Sequence, residues 1–244
     1  MPLLHEVIEY LSTIAIVEDQ VDQERLKTSV AELDEYRNFH ARRLLRSLEL
    51  IQKWRPVAAG PKILELGAAP YYFTALLYRY FPDCQLIGAN VRARLEEDPA
   101  SAARPEKVTL QHGSGGHRNE LPVYVFNVES ANYPFPTASF DWVLCMELIE
   151  HLAYSPTHML AEAHRVLKQG GRLLLTTPNA VDLRKTLDFL FNRAPGFRYS
   201  GYGIYGRHNR EFTVSELCAL VEACGYRVLE ARLENVIPMT RWVE

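Results

Sequence analysis

Apolar residues follow two rhythms along this chain. Short runs at Lys62–Leu66, Gln85–Asn90, Asp141–Met146 and Arg172–Thr177 are too brief for helices and rich enough in Ile, Leu and Val to be buried strands. Lys107–His112 and Pro122–Asn127 alternate with a two-residue period, as half-buried strands do. They flank a loop with Gly113, Gly115 and Gly116. No helical pattern opens after these glycines, so a hairpin-like loop is expected in place of a phosphate cradle.

Elsewhere the spacing is helical. From Leu3 to Arg55 it repeats through Leu26, Val30, Leu33, Tyr36, Phe39 or His40, Leu44, Leu48 and Ile51, which predicts two or three leading helices, broken by Pro56 and Pro61. A helix from about Pro70 to Tyr80 follows the first strand. Ser155-Pro156 has the chemistry of a helix start, and Met159, Leu160, Ala163, Val166 and Leu167 supply an inward stripe that Gly170-Gly171 should end. Thr213 and Glu216 form a capping box for a helix to about Cys224, and Arg227–Leu233 and Val236–Trp242 read as closing strands. Such alternation predicts an α/β, mostly parallel, doubly wound sheet, divided here as an N-terminal helical cap over 1–57 and a main domain over 58–244.

Charge narrows the partners. A formal net charge of -3 argues against a sequence-independent grip on nucleic acid, which draws on many basic contacts to phosphate. The cysteines at 84, 145, 218 and 224 form no C-x-x-C pair and are read as small buried hydrophobes in a reducing compartment. The amino end carries Glu6 and Glu9 where a leader would be basic, and no apolar span reaches 18 residues, so a cytoplasmic protein without membrane contact is expected.

The chemistry concentrates where the Asp141–Met146 strand ends. Glu147, Glu150 and His151, at i, i+3 and i+4, would share one face of a helix at the carboxyl edge of the sheet, where open α/β sheets bind ligands. An aromatic, glycine-rich stretch over 193–210 follows the next strand and is read as a lid for the acceptor. The remaining histidines have no partner word around them.

With those segments placed, the chain resembles the class I S-adenosylmethionine-dependent methyltransferases from about Lys62 onward. The words that carry the likeness are Phe140-Asp141-Trp142-Val143-Leu144, Glu147-Leu148-Ile149-Glu150-His151 and Arg165-Val166-Leu167-Lys168-Gln169-Gly170-Gly171. The resemblance implies a Rossmann-like sheet of seven strands with the last antiparallel. It also implies S-adenosylmethionine as cofactor, bound by the turn Glu65-Leu66-Gly67-Ala68-Ala69, by Asn90 and Val91 at the ribose, by Glu129 and Ser130 near adenine, and by Met146. Ala69 and Tyr71 stand where such enzymes favour glycine, and Asn90 where they favour an acid.

The E-x-x-E-H word also resembles that of small-RNA 3′-terminal 2′-O-methyltransferases and, less closely, of quinone-biosynthetic O-methyltransferases. The RNA enzymes add a later histidine, matched here by His208. That likeness implies a divalent cation (Mg, Mn, Fe, Co or Zn) held by Glu147, Glu150, His151 and His208. A metal-free site with His151 and His208 as proton acceptors, and a purely structural cluster, remain open on the residues alone. The function expected is O-methylation of a small-molecule, glycosyl or peptide-carboxylate acceptor. The alternatives are methylation of an RNA 3′ ribose, or a non-catalytic binding protein of the same shape.

Overall fold

The computed structural model describes residues 1–18, 30–55, 60–91, 105–112, 117–181, 183–192 and 204–234. Its elements are α1 (Leu4–Ser12), β1 (Ile14–Glu18), α2 (Val30–Lys53), β2 (Lys62–Leu66), α3 (Tyr72–Tyr80), β3 (Gln85–Asn90), β4 (Glu106–His112), β5 (Arg118–Val125), β6 (Phe140–Met146), α4 (Thr157–Val166), β7 (Leu167–Thr176), α5 (Leu183–Leu190) and α6 (Val214–Ala223).

The strands form one seven-stranded sheet in the order β1-β4-β5-β3-β2-β6-β7. From β5 to β7 every neighbouring pair is parallel, which places the strands' carboxyl ends on one edge. Side chains alternate between two cores, as parallel strands covered on both faces require. Ile63, Trp142 and Leu144 pack with Val7, Leu48 and Leu76 of α1, α2 and α3. Leu64, Val143 and Cys145 pack with Met159 and Ala163 of α4 on the other face. The fold is therefore the doubly wound, Rossmann-like arrangement expected, with β2 between β3 and β6 at the point where the strand order reverses.

The seven strands are nonetheless not the seven expected. Among the described residues the last strand, β7, is parallel to β6, and the antiparallel pairs β1–β4 and β4–β5 lie at the opposite edge. Residues 227–234 adopt no strand, and the segment 236–242 lies outside the described residues, as does the loop with Gly113. The strand β1 arises inside a stretch read as helical. Ile14-Ala15-Ile16 is short and β-branched, and its pairing with Leu110–His112 is a long-range contact to which helical periodicity is blind. The two leading helices share the first core cluster with the sheet.

Gly170 and Gly171 do not end α4, which stops at Val166. They form a turn within β7: Gly170 has φ +76°, and a Cβ on Gly171 would lie 2.8 Å from the Lys168 carbonyl oxygen. The capping box is present as expected, with Thr213 Oγ1 accepting from the Glu216 amide and Glu216 accepting from the Thr213 amide.

Candidate active site

Gly67 turns the chain out of β2 at φ +67°, a backbone conformation costly for residues with a Cβ, and its amide donates to the Ala89 carbonyl at 2.8 Å. The residues that depart from the glycine-rich pattern form a single unit. Tyr71 (φ +64°) caps α3. The Asn90 side chain accepts from the Ala69 amide at 3.2 Å and donates to the Tyr71 hydroxyl at 2.7 Å. An amide can do both at once, so the residue at the end of β3 ties the turn to the strand.

Glu65 points into the first core side, where Thr74 Oγ1 donates to it at 2.5 Å. Burial pushes its carboxyl from 4.5 up to about 7, against the lowering influence of Thr74 and Arg43. Between those values the unfolded chain has lost the proton that the folded chain keeps, so this group's contribution to stability falls as pH rises from about 4.5 to 7 and is level beyond. At about 1.4 kcal/mol for each tenfold step, the loss is on the order of a few kcal/mol. Urea unfolding at pH 5 and pH 8 should show the wild type losing this increment relative to Glu65→Gln; equal pH dependence in the two proteins would refute it.

No α-helix carries the E-x-x-E-H residues. Glu147 takes φ +52° directly after β6, and a single 3-10 turn over Ile149–His151 follows. The left-handed residue redirects the chain, so the three side chains part. Glu147 accepts from Thr176 Oγ1 at 3.0 Å and lies 3.9 Å from Arg43 Nε, on the side of the glycine turn. Glu150 is fully buried, accepts from Thr177 Oγ1 at 3.0 Å through Oε2, and has Oε1 buried without a partner among the described residues. Burial, then the charge of Glu147, raise its pKa.

His151 and His208 meet over Glu150. His151 Nδ1 donates to the Arg207 carbonyl at 3.0 Å, which assigns the neutral ring's lone pair to Nε2, 3.9 Å from Glu150 Oε1. Burial and the neighbouring His208 lower its pKa, which keeps the ring neutral. His208 stacks edge-on against it, centroids 4.9 Å apart, and its Nδ1 donates to Glu211 at 3.0 Å, an ion pair that raises the His208 pKa. One ligand atom each from Glu150, His151 and His208 lie within 4.8 Å of one another. Of the four metal-site residues expected, three converge and Glu147 does not.

The late segment is held in place by backbone chemistry. The Asn209 and Arg210 amides both donate to the Glu150 carbonyl, at 2.6 and 3.2 Å, and Asn209 Nδ2 donates to the His151 carbonyl. Residues 204–210 of the expected lid thus clamp the 3-10 turn, and 193–203 lie outside the described residues.

Glu129 is committed differently from expectation. Its carboxylate accepts from the backbone amides of Ala153 at 3.0 Å, Ser155 at 2.7 Å and also Tyr154, pinning the loop before α4. Asn127, two residues earlier, donates to the Tyr205 hydroxyl and accepts from the Glu129 amide. Ser130 sits in the turn after β5, its amide donating to the Asn127 carbonyl, while Val91 follows β3 half-buried. Met146 lines a cleft with Gly67, Ala68, Ala69 and Glu65, roofed by Tyr36 and Arg43 of α2. Arg43, Asn127, Glu211 and Thr177 were not anticipated. Arg43, Asn127 and Thr177 meet Glu147, Tyr205 and Glu150 from distant segments, which nothing local marks, whereas Glu211 lies three residues from His208, a spacing that could have marked it. His40 packs against Tyr36, and burial, then Arg43, push its pKa down to about 4.

Known proteins share this architecture. Over residues 34–231 the chain matches the family model described as a methyltransferase domain. A Mycolicibacterium smegmatis protein, named as a probable S-adenosylmethionine-dependent methyltransferase, is 28% identical over 177 residues, covering 70% of this chain and 53% of that protein. The malonyl-[acyl-carrier protein] O-methyltransferase of Legionella pneumophila is 28% identical over 119 residues, 49% of this chain and 37% of that one. A ubiquinone biosynthesis O-methyltransferase of Xanthomonas oryzae pv. oryzae is 49% identical over 43 residues, 18% of each. The chain thus spans about half the length of the first of these relatives. A solved S-adenosylmethionine-dependent methyltransferase from Archaeoglobus fulgidus superposes with TM-score 0.50 at 15% identity, covering 82% of this chain and 75% of that one, a likeness of fold alone. The [4+2]-cyclase SpnF superposes equally well, with TM-score 0.50 at 19% identity over 78% of this chain and 58% of that one, so the fold by itself does not dictate the chemistry. Sheet order, carboxyl-edge site and the family match over most of its length together show that the chain belongs to the methyltransferase-domain family, the class I S-adenosylmethionine-dependent methyltransferases.

Proposed function

We propose that this protein transfers the methyl group of S-adenosylmethionine to a hydroxyl oxygen of a small or glycosyl acceptor. The observation that carries the proposal is the convergence of Glu150, His151 and His208 at the carboxyl end of β6. Methyl transfer from a sulfonium is an in-line displacement that leaves a neutral thioether, so alignment and the removal of the acceptor's proton are what the protein must supply. His151 Nε2 is the proton acceptor this geometry presents. Arg207 fixes its tautomer, and burial keeps it unprotonated. His208, oriented by Glu211, stands beside it.

The same donor set suits a divalent cation. The partnerless buried Glu150 Oε1 and two imidazoles, each hydrogen-bonded through Nδ1, make a mixed oxygen and nitrogen set with a carboxylate behind one histidine. Glu150, His151 and His208 would hold it through Glu150 Oε1 and the two imidazoles, and since His151 Nε2 has one lone pair, Lewis-acid polarisation of the acceptor hydroxyl would then stand in place of proton removal by that ring. Two of the relatives are named as O-methyltransferases, which supports oxygen as the accepting atom.

Labelled-methyl transfer tests the proposal, run against sugars, small hydroxy acids and RNA 3′ ends with and without exhaustive chelation. Ether products from the small acceptors are expected, and their loss on chelation with recovery in Mg or Mn would assign activation of the hydroxyl to a cation in place of the His151 base. Transfer confined to RNA ends, or to nitrogen or carbon, would overturn the acceptor class, and full activity after chelation would remove the cation.

A further inference from the structure

Helix α5 presents its apolar stripe to solvent. Leu187 and Leu190, at i and i+3, and Phe191, whose amide donates to the Leu187 carbonyl at 3.0 Å, share one side of its last turn and are 43%, 70% and 72% exposed. Val181, just ahead of the helix, is exposed as well, whereas Asp188 is half-buried. Among the described residues no other helix shows three large apolar side chains to solvent. A helix that packs on a sheet normally buries such a stripe, so an exposed one marks a surface with a further partner.

Charge names the partner. Arg184 and Lys185 stand in the first turn of α5 and Arg193 follows its end. Over residues 181–211 the sequence holds six Arg or Lys against three Asp or Glu, within a chain of net charge -3. Leu and Phe along one side of a helix, flanked in sequence by Arg and Lys, is the composition of helices that lie in the headgroup layer of a bilayer. No described helix is long and apolar enough to cross one, and α5 has only eight residues, so the contact is with the surface. We propose that α5 docks on an anionic lipid surface through Leu187, Leu190 and Phe191. The helix leaves the carboxyl edge of the sheet: β7 ends at Thr176, Thr177 donates to Glu150, and the Ala180 amide donates to the carbonyl of Phe212, which follows His208 by four residues. Docking there holds the catalytic edge close to the lipid headgroups. The proposal goes beyond the methyl-transfer reading and does not depend on it.

The test is co-sedimentation of the full chain with vesicles of phosphatidylglycerol and of phosphatidylcholine. Wild type should bind the anionic vesicles about 10-fold or more tightly than the neutral ones, given a share of about fivefold for each Lys or Arg near the surface. Raising the salt from roughly 0.05 to 0.5 M should erase that preference. Leu190→Ser combined with Phe191→Ser should weaken binding to phosphatidylglycerol about 10-fold or more, the effect of withholding two apolar side chains from the lipid. Because both side chains are exposed, the double variant should keep the wild-type unfolding midpoint and affinity for S-adenosylhomocysteine. Absence of vesicle binding by wild type, equal binding of the two lipids, or equal binding by wild type and the double variant would overturn the docking. A lowered unfolding midpoint in the variant would show that the stripe packs within the chain, and would overturn it too. So would sedimentation velocity showing a wild-type dimer that the double variant dissolves, with no vesicle binding, which would give the face to a second copy. None of these outcomes touches the methyl-transfer reading, since the vesicles are tested without methyl donor or acceptor.

Discussion

Turnover of His151→Ala should fall about 100-fold or more, the usual share of a positioned general base, while affinity for S-adenosylhomocysteine stays at the wild-type level. The two readouts separate because His151 is not among the residues that line the cleft above Gly67, which include Arg43, Glu65 and Met146. In the reaction proposed, the acceptor oxygen forms its bond to the methyl carbon as the carbon–sulfur bond breaks. The sulfonium becomes a neutral thioether, and the acceptor's proton passes to His151 Nε2. Removal of the imidazole leaves that proton without an acceptor at the end of β6. The local fold should survive, since the 3-10 turn is clamped through backbone groups, with the Asn209 and Arg210 amides on the Glu150 carbonyl and Asn209 Nδ2 on the His151 carbonyl. Near-normal turnover in the variant would exclude His151 as the base. Loss of cofactor affinity along with turnover would show that the ring shapes the cofactor cleft instead.

Glu129→Ala should cost about 1.5–3 kcal/mol of folding stability, the usual share of hydrogen bonds to a charged acceptor at a part-buried site. The carboxylate is buried and accepts from three successive backbone amides, Ala153, Tyr154 and Ser155, which no other acceptor of the site replaces. These amides belong to the loop joining the E-x-x-E-H turn to α4, so the same change should loosen the catalytic turn. Urea unfolding of the two proteins measures the loss. If Glu129 served mainly to bind adenine, the variant would keep its unfolding midpoint and lose cofactor affinity, and that result would overturn the structural role argued here.

The order of the elements was legible because it depends on local chemistry. The apolar run Asp141–Met146 announces a strand buried on both faces, and the Thr213 and Glu216 capping box announces α6, since its hydrogen bonds span only three residues. The strand β1 was not legible, because its partner lies almost a hundred positions away and its own residues sit between helical patterns. The antiparallel edge formed by β1, β4 and β5 was not legible for a related reason: strand direction at a sheet's margin is set by connections that periodicity does not encode. Among the candidate site residues, Glu150 and His151 stood out by kind and spacing and His208 only through the resemblance to the RNA enzymes, whereas the hydrogen bonds of Glu129 and Asn90 to backbone and to Tyr71 could not be read.

Sequence alone determined the succession of buried strands and amphipathic helices, the glycine turn at 67 and the cluster of acidic and imidazole side chains after β6, because side-chain polarity and backbone preference act over a few residues. Only the tertiary structure decided which of those side chains meet. A single left-handed residue at Glu147 turns one carboxylate toward Arg43 and leaves the other facing two histidines separated by 57 positions, and a backbone dihedral of that kind is set by the packing around it.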